Sequence, residues 1–561
     1  MSNERPHWFW SPVLARKGLY AQVIIASIFI NLFALVSAFY IMTVYDRVIP
    51  NDATESLTAL TVGVLVIVFF DFVMKTLRGR FTDEAGAGID REVGERLFDH
   101  LSRNYQLTHQ RQVGALATTV REFEQLKEFI SSASFTAFAD FPFVLLFLWV
   151  LWNLGGPIAA VPAMIVVAVV IIGIAIHPFI RHLSRKNLGE AQSKQGVLVE
   201  LLCGMETVKS LPGLSLLRER WLNSVDKQAE QGGRVKGLSQ IATNAAQTGQ
   251  QLCQVGVVAY GVVLIAEGNL TMGSLIACVI LGGRTLAPLA QITSLLSRYS
   301  QASNAYRALD QLFTEADPEL ASRQFVRRSD APGSLTFKGV TLSYPNAGQS
   351  ALDGVDFNLG DGQRLGVLGS IGSGKTSLLR LATGLVSPTK GQILVGGIDV
   401  RHWHPDDLRR QIAVVSQTPT LFTGSVVENI RLGKPDATDD EVLSAAEIAG
   451  VLDFVNQLES GLDTHLFERG AQLSGGQRQA ICIARAIVAD PNILIMDEPT
   501  SALDNGAEQR LVSRLSDWIE GRTLIVMTHR APMLALVEHL MVLEGGIISR
   551  SGPKEQVVKA A

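Results

Sequence analysis

The 561-residue chain has little charge and no surplus of either sign: only 18% of it is Asp, Glu, Lys or Arg, with 49 basic residues against 53 acidic. Such a balance supplies no basic field for a polyanion, and no block interleaves basic with aromatic residues, so no nucleic acid partner is expected. Cysteine is scarce too. Cys203, Cys253, Cys278 and Cys482 lie far apart, with no Cys-x-x-Cys pair and no histidine at zinc-ligand spacing, which excludes a disulfide framework and a structural zinc site. They are expected to be reduced and mostly buried. No cysteine precedes Cys203, so no N-terminal thiol nucleophile is expected. A secretory signal fits poorly, because the uncharged run from Gly18 to Tyr45 is too long for one and no small-residue cleavage site closes it.

What the chain has in quantity is apolar sequence. Hydrophobic residues make up 47% and mean hydropathy is +0.23, too much for an ordinary soluble protein and too long for one domain, so a membrane part and a soluble part are expected. Six stretches, 20–44, 57–75, 133–153, 157–178, 248–267 and 271–292, are long enough to cross a hydrocarbon core of about 30 Å as helices. Asp71, Asp140 and Arg284 interrupt them. An ionisable group inside a span is by default functional, so Asp140 is either a contact for cargo or a partner, or a side chain hydrated or bound to backbone groups freed by Pro142.

Positive charge is distributed unevenly around these spans. Lys75 to Lys127 holds nine Lys or Arg and Arg181 to Lys236 holds ten, whereas the three opposite connections hold only Arg47. The positive-inside rule then assigns both termini and both long loops to the cytoplasm. Those loops are rich in helix formers and read as helical extensions of the spans, whereas Asn153-Leu154-Gly155-Gly156-Pro157 reads as a tight external turn. Near the N-terminus, His7-Trp8-Phe9-Trp10 with Arg5, Arg16 and Lys17 suits a membrane interface. After Ala331-Pro332-Gly333, short apolar strands alternate with helices, the pattern of an α/β nucleotide-binding domain. The expected division is an interfacial segment 1–18, a six-helix all-α transmembrane domain 19–305, a linker 306–333 and an α/β domain 334–561.

Gly369-Ser370-Ile371-Gly372-Ser373-Gly374-Lys375-Thr376 lies between an apolar strand, Arg364 to Leu368, and the helical run Ser377 to Leu381. Bare backbone N–H groups in such a loop cradle phosphates, Lys375 reaches the β- and γ-phosphates, and Thr376 ligates Mg²⁺. The apolar run Ile493 to Met496 delivers Asp497, to hold Mg²⁺, and Glu498, to orient or deprotonate the attacking water. Leu473-Ser474-Gly475-Gly476-Gln477 precedes a long helical run and so presents N–H groups and a helix N-terminus to an anion.

Together these motifs resemble the ATP-binding cassette family, and the rest of its pattern follows in order. Tyr344 is similar to the aromatic that stacks on adenine, and Gln417 to the glutamine that reaches Mg²⁺ and the water. Asp504, in Ser501-Ala502-Leu503-Asp504, resembles the segment that crosses the dimer interface, and His529 the residue that contacts the γ-phosphate. The resemblance implies a hydrolysing site with Glu498, His529 and Gln417 as catalytic residues. Tyr344, Gly369, Ser370, Gly372, Ser373, Gly374, Lys375, Thr376, Ser377, Ser474, Gly475, Gly476, Gln477 and Asp504 would bind nucleotide, and Thr376, Gln417 and Asp497 would bind Mg²⁺. In the family, Ser474 of one cassette faces Lys375 of another. One set of motifs beside six spans therefore implies a half-transporter that pairs with a second copy of itself.

The membrane half has its own resemblance. Phe39 to Asn51 with Asp46-Arg47, Arg121 to Leu126, Phe138 to Phe143 and Gly204 to Ser210 are similar to type I secretion ATPases, above all those exporting large adhesins and repeat-in-toxin proteins. This implies export of a polypeptide across the bacterial inner membrane, to a periplasmic adaptor (membrane fusion protein) and an outer-membrane channel, with lipid around the spans. An exporter of lipid or small hydrophobic molecules is the alternative. Many members carry a papain-like domain before the spans; none is expected here, nor leader cleavage by this chain. Glu206 to Ser210 and Gly114 to Thr118 are candidates for coupling helices that dock on the cassette opposite Gln417 and Glu468-Arg469-Gly470.

Overall fold

The computed structural model describes residues 7–103, 113–131, 133–314, 325–328, 330–344 and 348–559. The chain divides into two compact units, Met1–Ala316 and Asp317–Ala561. Arg5, Pro345 and residues 315–324 of the expected linker lie outside the described residues.

In the first unit the described residues form helices: α1 (Trp10–Ala15), α2 (Lys17–Thr43), α3 (Thr54–Arg103), α4 (Val113–Ser131), α5 (Ala133–Asp140), α6 (Phe143–Gly155), α7 (Ala160–Cys203), α8 (Met205–Ser210), α9 (Leu214–Ala266) and α10 (Met272–Thr314). Each of the six apolar stretches falls on this helical framework. The third is divided between α5 and α6 by Phe141-Pro142, because proline cannot donate to the preceding turn. The turn to the fourth is built on Gly156, whose φ of +52° suits a residue without Cβ. At 50 residues, α3 is about 75 Å long, well beyond any bilayer core. Its apolar portion is unburied, with Leu65, Phe69 and Phe72 among the exposed side chains; such a face belongs in lipid or against a partner rather than in water. The last helix runs to Thr314, into the segment read from sequence as a linker.

The N-terminal aromatics pack on protein. Phe9 is 2% exposed, in a cluster with Ile89 and Val93 of α3 and Leu309 of α10. The Trp8 ring stacks on Phe313 at 4.8 Å, and its Nε1 donates to Asp310 at 2.9 Å. Trp10 and Leu14 remain exposed. Of the two candidate coupling segments, Met205–Ser210 is a separate helix with no buried residue. Gly114 to Thr118 is instead the opening of α4, where Gly114, Leu116 and Thr118 are buried. A Cβ on Gly114 would stand 3.0 Å from the Gln195 carbonyl of α7, so that close approach needs glycine.

Polar contacts help hold this unit at two of the places singled out in the sequence. At one end of α2, the Asp46 carboxylate accepts from Thr271 Oγ1 at 2.6 Å and from the Gly273 N–H at 2.9 Å, satisfying donors at the start of α10. Elsewhere, Arg78 donates to both oxygens of Asp140 at 3.1 Å and to Ser27, while Asn31 donates to Asp140 at 2.9 Å. Asp140 is thus paired with side chains of α2 and α3.

In the second unit, β1 (Leu335–Leu342), β2 (Leu352–Leu359), β4 (Lys390–Val395) and β5 (Ile398–Asp399) form an antiparallel sheet in the order β2-β1-β4-β5. A second sheet has β3 (Arg364–Leu368), β6 (Ile412–Val415), β9 (Ile493–Asp497), β10 (Thr523–Met527), β11 (His539–Glu544) and β12 (Ile547–Pro553), ordered β12-β11-β3-β10-β9-β6. The short strands β7 (Gly424–Ser425) and β8 (His465–Leu466) pair apart from it. The β6, β9, β10, β3 and β11 strands run parallel, and β9 and β10 are buried throughout, as their apolar runs 493–496 and 524–527 require. Helices α11 (Lys375–Ala382), α12 (Gly475–Val488) and α13 (Asn505–Trp518) carry or border the candidate site.

Candidate nucleotide site

Parallel register brings the chemistry to one edge. Val415 pairs with Met496, Met527 with Asp497 and Val367 with Met527, so the segments after β6, β9, β10 and β3 emerge side by side at the carboxyl end of the sheet. Those segments carry Gln417, Asp497-Glu498, His529 and the Gly369–Thr376 loop. In open α/β sheets this edge is where ligands bind.

The loop's glycines have separate reasons. Gly372 and Gly374 take φ of +82° and +106°, and a Cβ on Gly374 would lie 2.6 Å from the Ala351 carbonyl. Lys375 Nζ donates to the carbonyls of Gly369 and Ser370 across the loop it closes. Ser373 is buried and its hydroxyl has no partner, an orphan polar atom inside a phosphate-shaped turn. At the head of α11, Thr376 Oγ1 donates to Asp497 Oδ2 at 3.1 Å. Tyr344 is half-buried, its hydroxyl 3.3 Å from Ser377 Oγ and accepting from Arg380 at 3.2 Å.

Asp497 is 4% exposed. Burial, reinforced by the neighbouring Glu498 charge, pushes its carboxyl above the usual carboxylate range, against the lowering by Thr376 and Lys375. A desolvated carboxylate beside a hydroxyl is an oxygen donor set that suits Mg²⁺, and a cation there would relieve the burial. Glu498 follows with φ of +46°, and its N–H donates to the Met527 carbonyl at 2.8 Å. Its Oε2 accepts from Thr528 Oγ1 at 3.1 Å, and Oε1 lies 3.9 Å from His529 Nε2. Gln417 stands exposed past the end of β6.

The Leu473–Gln477 segment is a capped helix start. Ser474 Oγ accepts from the Gln477 N–H at 3.3 Å, while Gln477 Oε1 accepts from the Ser474 N–H at 2.8 Å, a reciprocal capping box. A Cβ on Gly476 would lie 3.0 Å from the Ala502 carbonyl, so this helix start packs closely on the Ser501–Asp504 segment. Asp504 caps α13, and its bond from the Ala507 N–H holds its carboxyl below the usual range. Thr528 and Arg380 are contacts that the motif reading missed. Each adjoins a motif residue in sequence or on a helix face, which is the available signal. Cys253, Cys278 and Cys482 are buried, Cys203 is exposed, and burial pushes the Cys482 thiol up.

Residues 352–501 match the model of the ABC transporter family, and residues 20–285 match that of the ABC transporter transmembrane region. The chain is 30% identical over 553 residues to the exotoxin translocation ATP-binding protein PaxB of Pasteurella aerogenes, covering 98% of this chain and 78% of that one. The chain belongs to the ABC transporter family. This ABC exporter is also 29% identical over 553 residues to the leukotoxin translocation ATP-binding protein LktB of Mannheimia glucosida, with the same coverage. Its fold is that of the structure of a bacterial Atm1-family ABC exporter with ATP bound, at a TM-score of 0.85 and 23% identity over 97% of this chain and 96% of that one. It is an ATP-hydrolysing transporter with a helical transmembrane region followed by an ABC ATPase domain.

Proposed function

We propose that this ABC exporter drives a polypeptide across the bacterial inner membrane as the ATPase of a type I secretion system. The observation that carries this reading is likeness over 98% of the chain to translocation ATPases for toxins, membrane half included. Export of lipid or small hydrophobic molecules is the second reading, favoured by the fold shared with an Atm1-family exporter. Two copies would close on two ATP molecules, with both termini and the ATPase units in the cytoplasm, and hand cargo to a periplasmic adaptor and an outer-membrane channel.

The site residues divide the work of hydrolysis. Tyr344 stacks on adenine, and the Gly369–Ser373 backbone with Lys375 holds the β- and γ-phosphates; Lys375 gives up the Gly369 and Ser370 carbonyls to do so. Thr376, Asp497 and Gln417 would hold Mg²⁺, which when bound neutralises charge on the phosphate oxygens. Glu498 orients the attacking water and accepts its proton, while His529, 3.9 Å from Glu498, contacts the γ-phosphate. Ser474 and the head of α12 serve the nucleotide of the other copy, with Asp504 at the crossing.

The test measures ATP turnover by the full chain in lipid nanodiscs. A C-terminal fragment of a repeat-in-toxin protein should change the rate, whereas added lipid or small hydrophobes should not. The reverse pattern would overturn polypeptide export and leave the exporter reading standing.

A further inference from the structure

Next to His529 in sequence, Arg530 joins a buried polar cluster with Glu508 and Thr500. Glu508, in the first turn of α13, is 2% exposed. Its Oε1 accepts from Thr500 Oγ1 at 2.6 Å and its Oε2 from Arg530 Nη1 at 3.1 Å. The same guanidinium donates to the Leu503 carbonyl at 3.2 Å and to the Ser501 carbonyl at 3.4 Å. The Arg530 N–H donates to Thr528 Oγ1 at 3.1 Å, and that hydroxyl donates to Glu498. Thr500 and Thr528 are wholly buried.

A buried carboxylate needs a counter-charge, yet a carboxylate alone does not explain why the cation also spans two carbonyls on the segment after Glu498. Arginine's planar fork spreads the three acceptors over two nitrogens, Nη1 and Nη2, whereas an ammonium would have to gather all three around one. The segment so held, Ser501 to Asp504, is the one on which Gly475 and Gly476 pack through Ala502.

We propose that Arg530 is a positioning residue for hydrolysis, which with Glu508 and Thr500 locks the Ser501–Asp504 segment in place relative to Glu498. It touches no part of the nucleotide; it fixes the backbone that carries the water-activating carboxylate on one side and the packing surface for the head of α12 on the other. This rests on the reading of Glu498 as the group that acts on water.

The experiment is steady-state ATP hydrolysis by the full chain in nanodiscs. Arg530→Met should lower kcat about tenfold or more and leave the KM for ATP within about twofold, because an interaction that matters only at the transition state is lost. That variant strands the Glu508 charge, so Arg530→Met with Glu508→Gln is the decisive form. It should regain the wild-type unfolding temperature while kcat stays low, and Arg530→Lys should fall between. Wild-type kcat in either methionine variant, or a kcat that returns together with stability in the double variant, would reduce Arg530 to a structural ion pair and overturn the proposal. So would a rise in KM matching the fall in kcat. A Glu498→Gln protein that turns over normally would instead overturn the reading on which the proposal rests.

Discussion

Each unit buries an aspartate, and the two are treated differently. Asp140, in the helical unit, meets Arg78 on both oxygens and Asn31 on one, and both members of the ion pair are about four-fifths buried. Asp497, in the nucleotide unit, is nearly sealed but is given a neutral threonine hydroxyl, and its carboxyl is pushed upward. A charge whose counter-ion is part of the chain holds helices together, and removing one partner strands the other. A charge left short of positive partners is a receptor for something brought from outside. The same residue type, sheltered in both places but partnered in one, thus separates architecture from chemistry.

The largest effects should come from the side that lacks its partner. Lys375→Ala should abolish ATP binding, and Glu498→Gln should retain ATP while turnover falls by about a hundredfold or more, read by nucleotide retention and phosphate release. Asp497→Asn should cut turnover by a similar factor yet raise the thermal stability of nucleotide-free protein at neutral pH. The sign follows from the raised carboxyl: ionised Asp497 costs the fold stability above its titration, and that cost disappears as pH falls through it. The stabilisation by Asn should therefore shrink on acidification; stabilisation that grew in acid would break the contrast.

Asp140→Asn should act in the opposite sense, destabilising the protein by about 3 kcal/mol because Arg78 loses its counter-charge, with recovery when Arg78→Met is added. Unfolding in detergent measures this, and an unchanged midpoint would show that the Arg78 pair does not hold the helices together. The smallest effect is expected at Asp46→Asn, where one cap at the start of α10 weakens by about 1 kcal/mol.

The legible parts of this protein were those encoded over short spans. Phosphate-loop glycines, the capping box from Ser474 to Gln477 and the apolar strand before Asp497 each carry their reason within a few neighbouring residues. The six apolar stretches were readable because a bilayer imposes length and polarity on every residue in them. What could not be read were partners far along the chain: Arg78 and Asn31 stand 62 and 109 positions from Asp140. The aromatic lead from His7 was only partly legible for a related reason. Indole and phenyl rings suit a lipid interface and a protein groove equally, and only the surfaces of α3 and α10 decide for Phe9 and Trp8. Nothing local announces that Glu498 adopts a left-handed backbone.

The Asp46 cap has a mechanical consequence. By tying the end of α2 to the first turn of α10, it joins the first and last spanning helices at that end into a single lever. A link worth about 1 kcal/mol favours those two helices moving together there, so a parting of helices costs less between other neighbours.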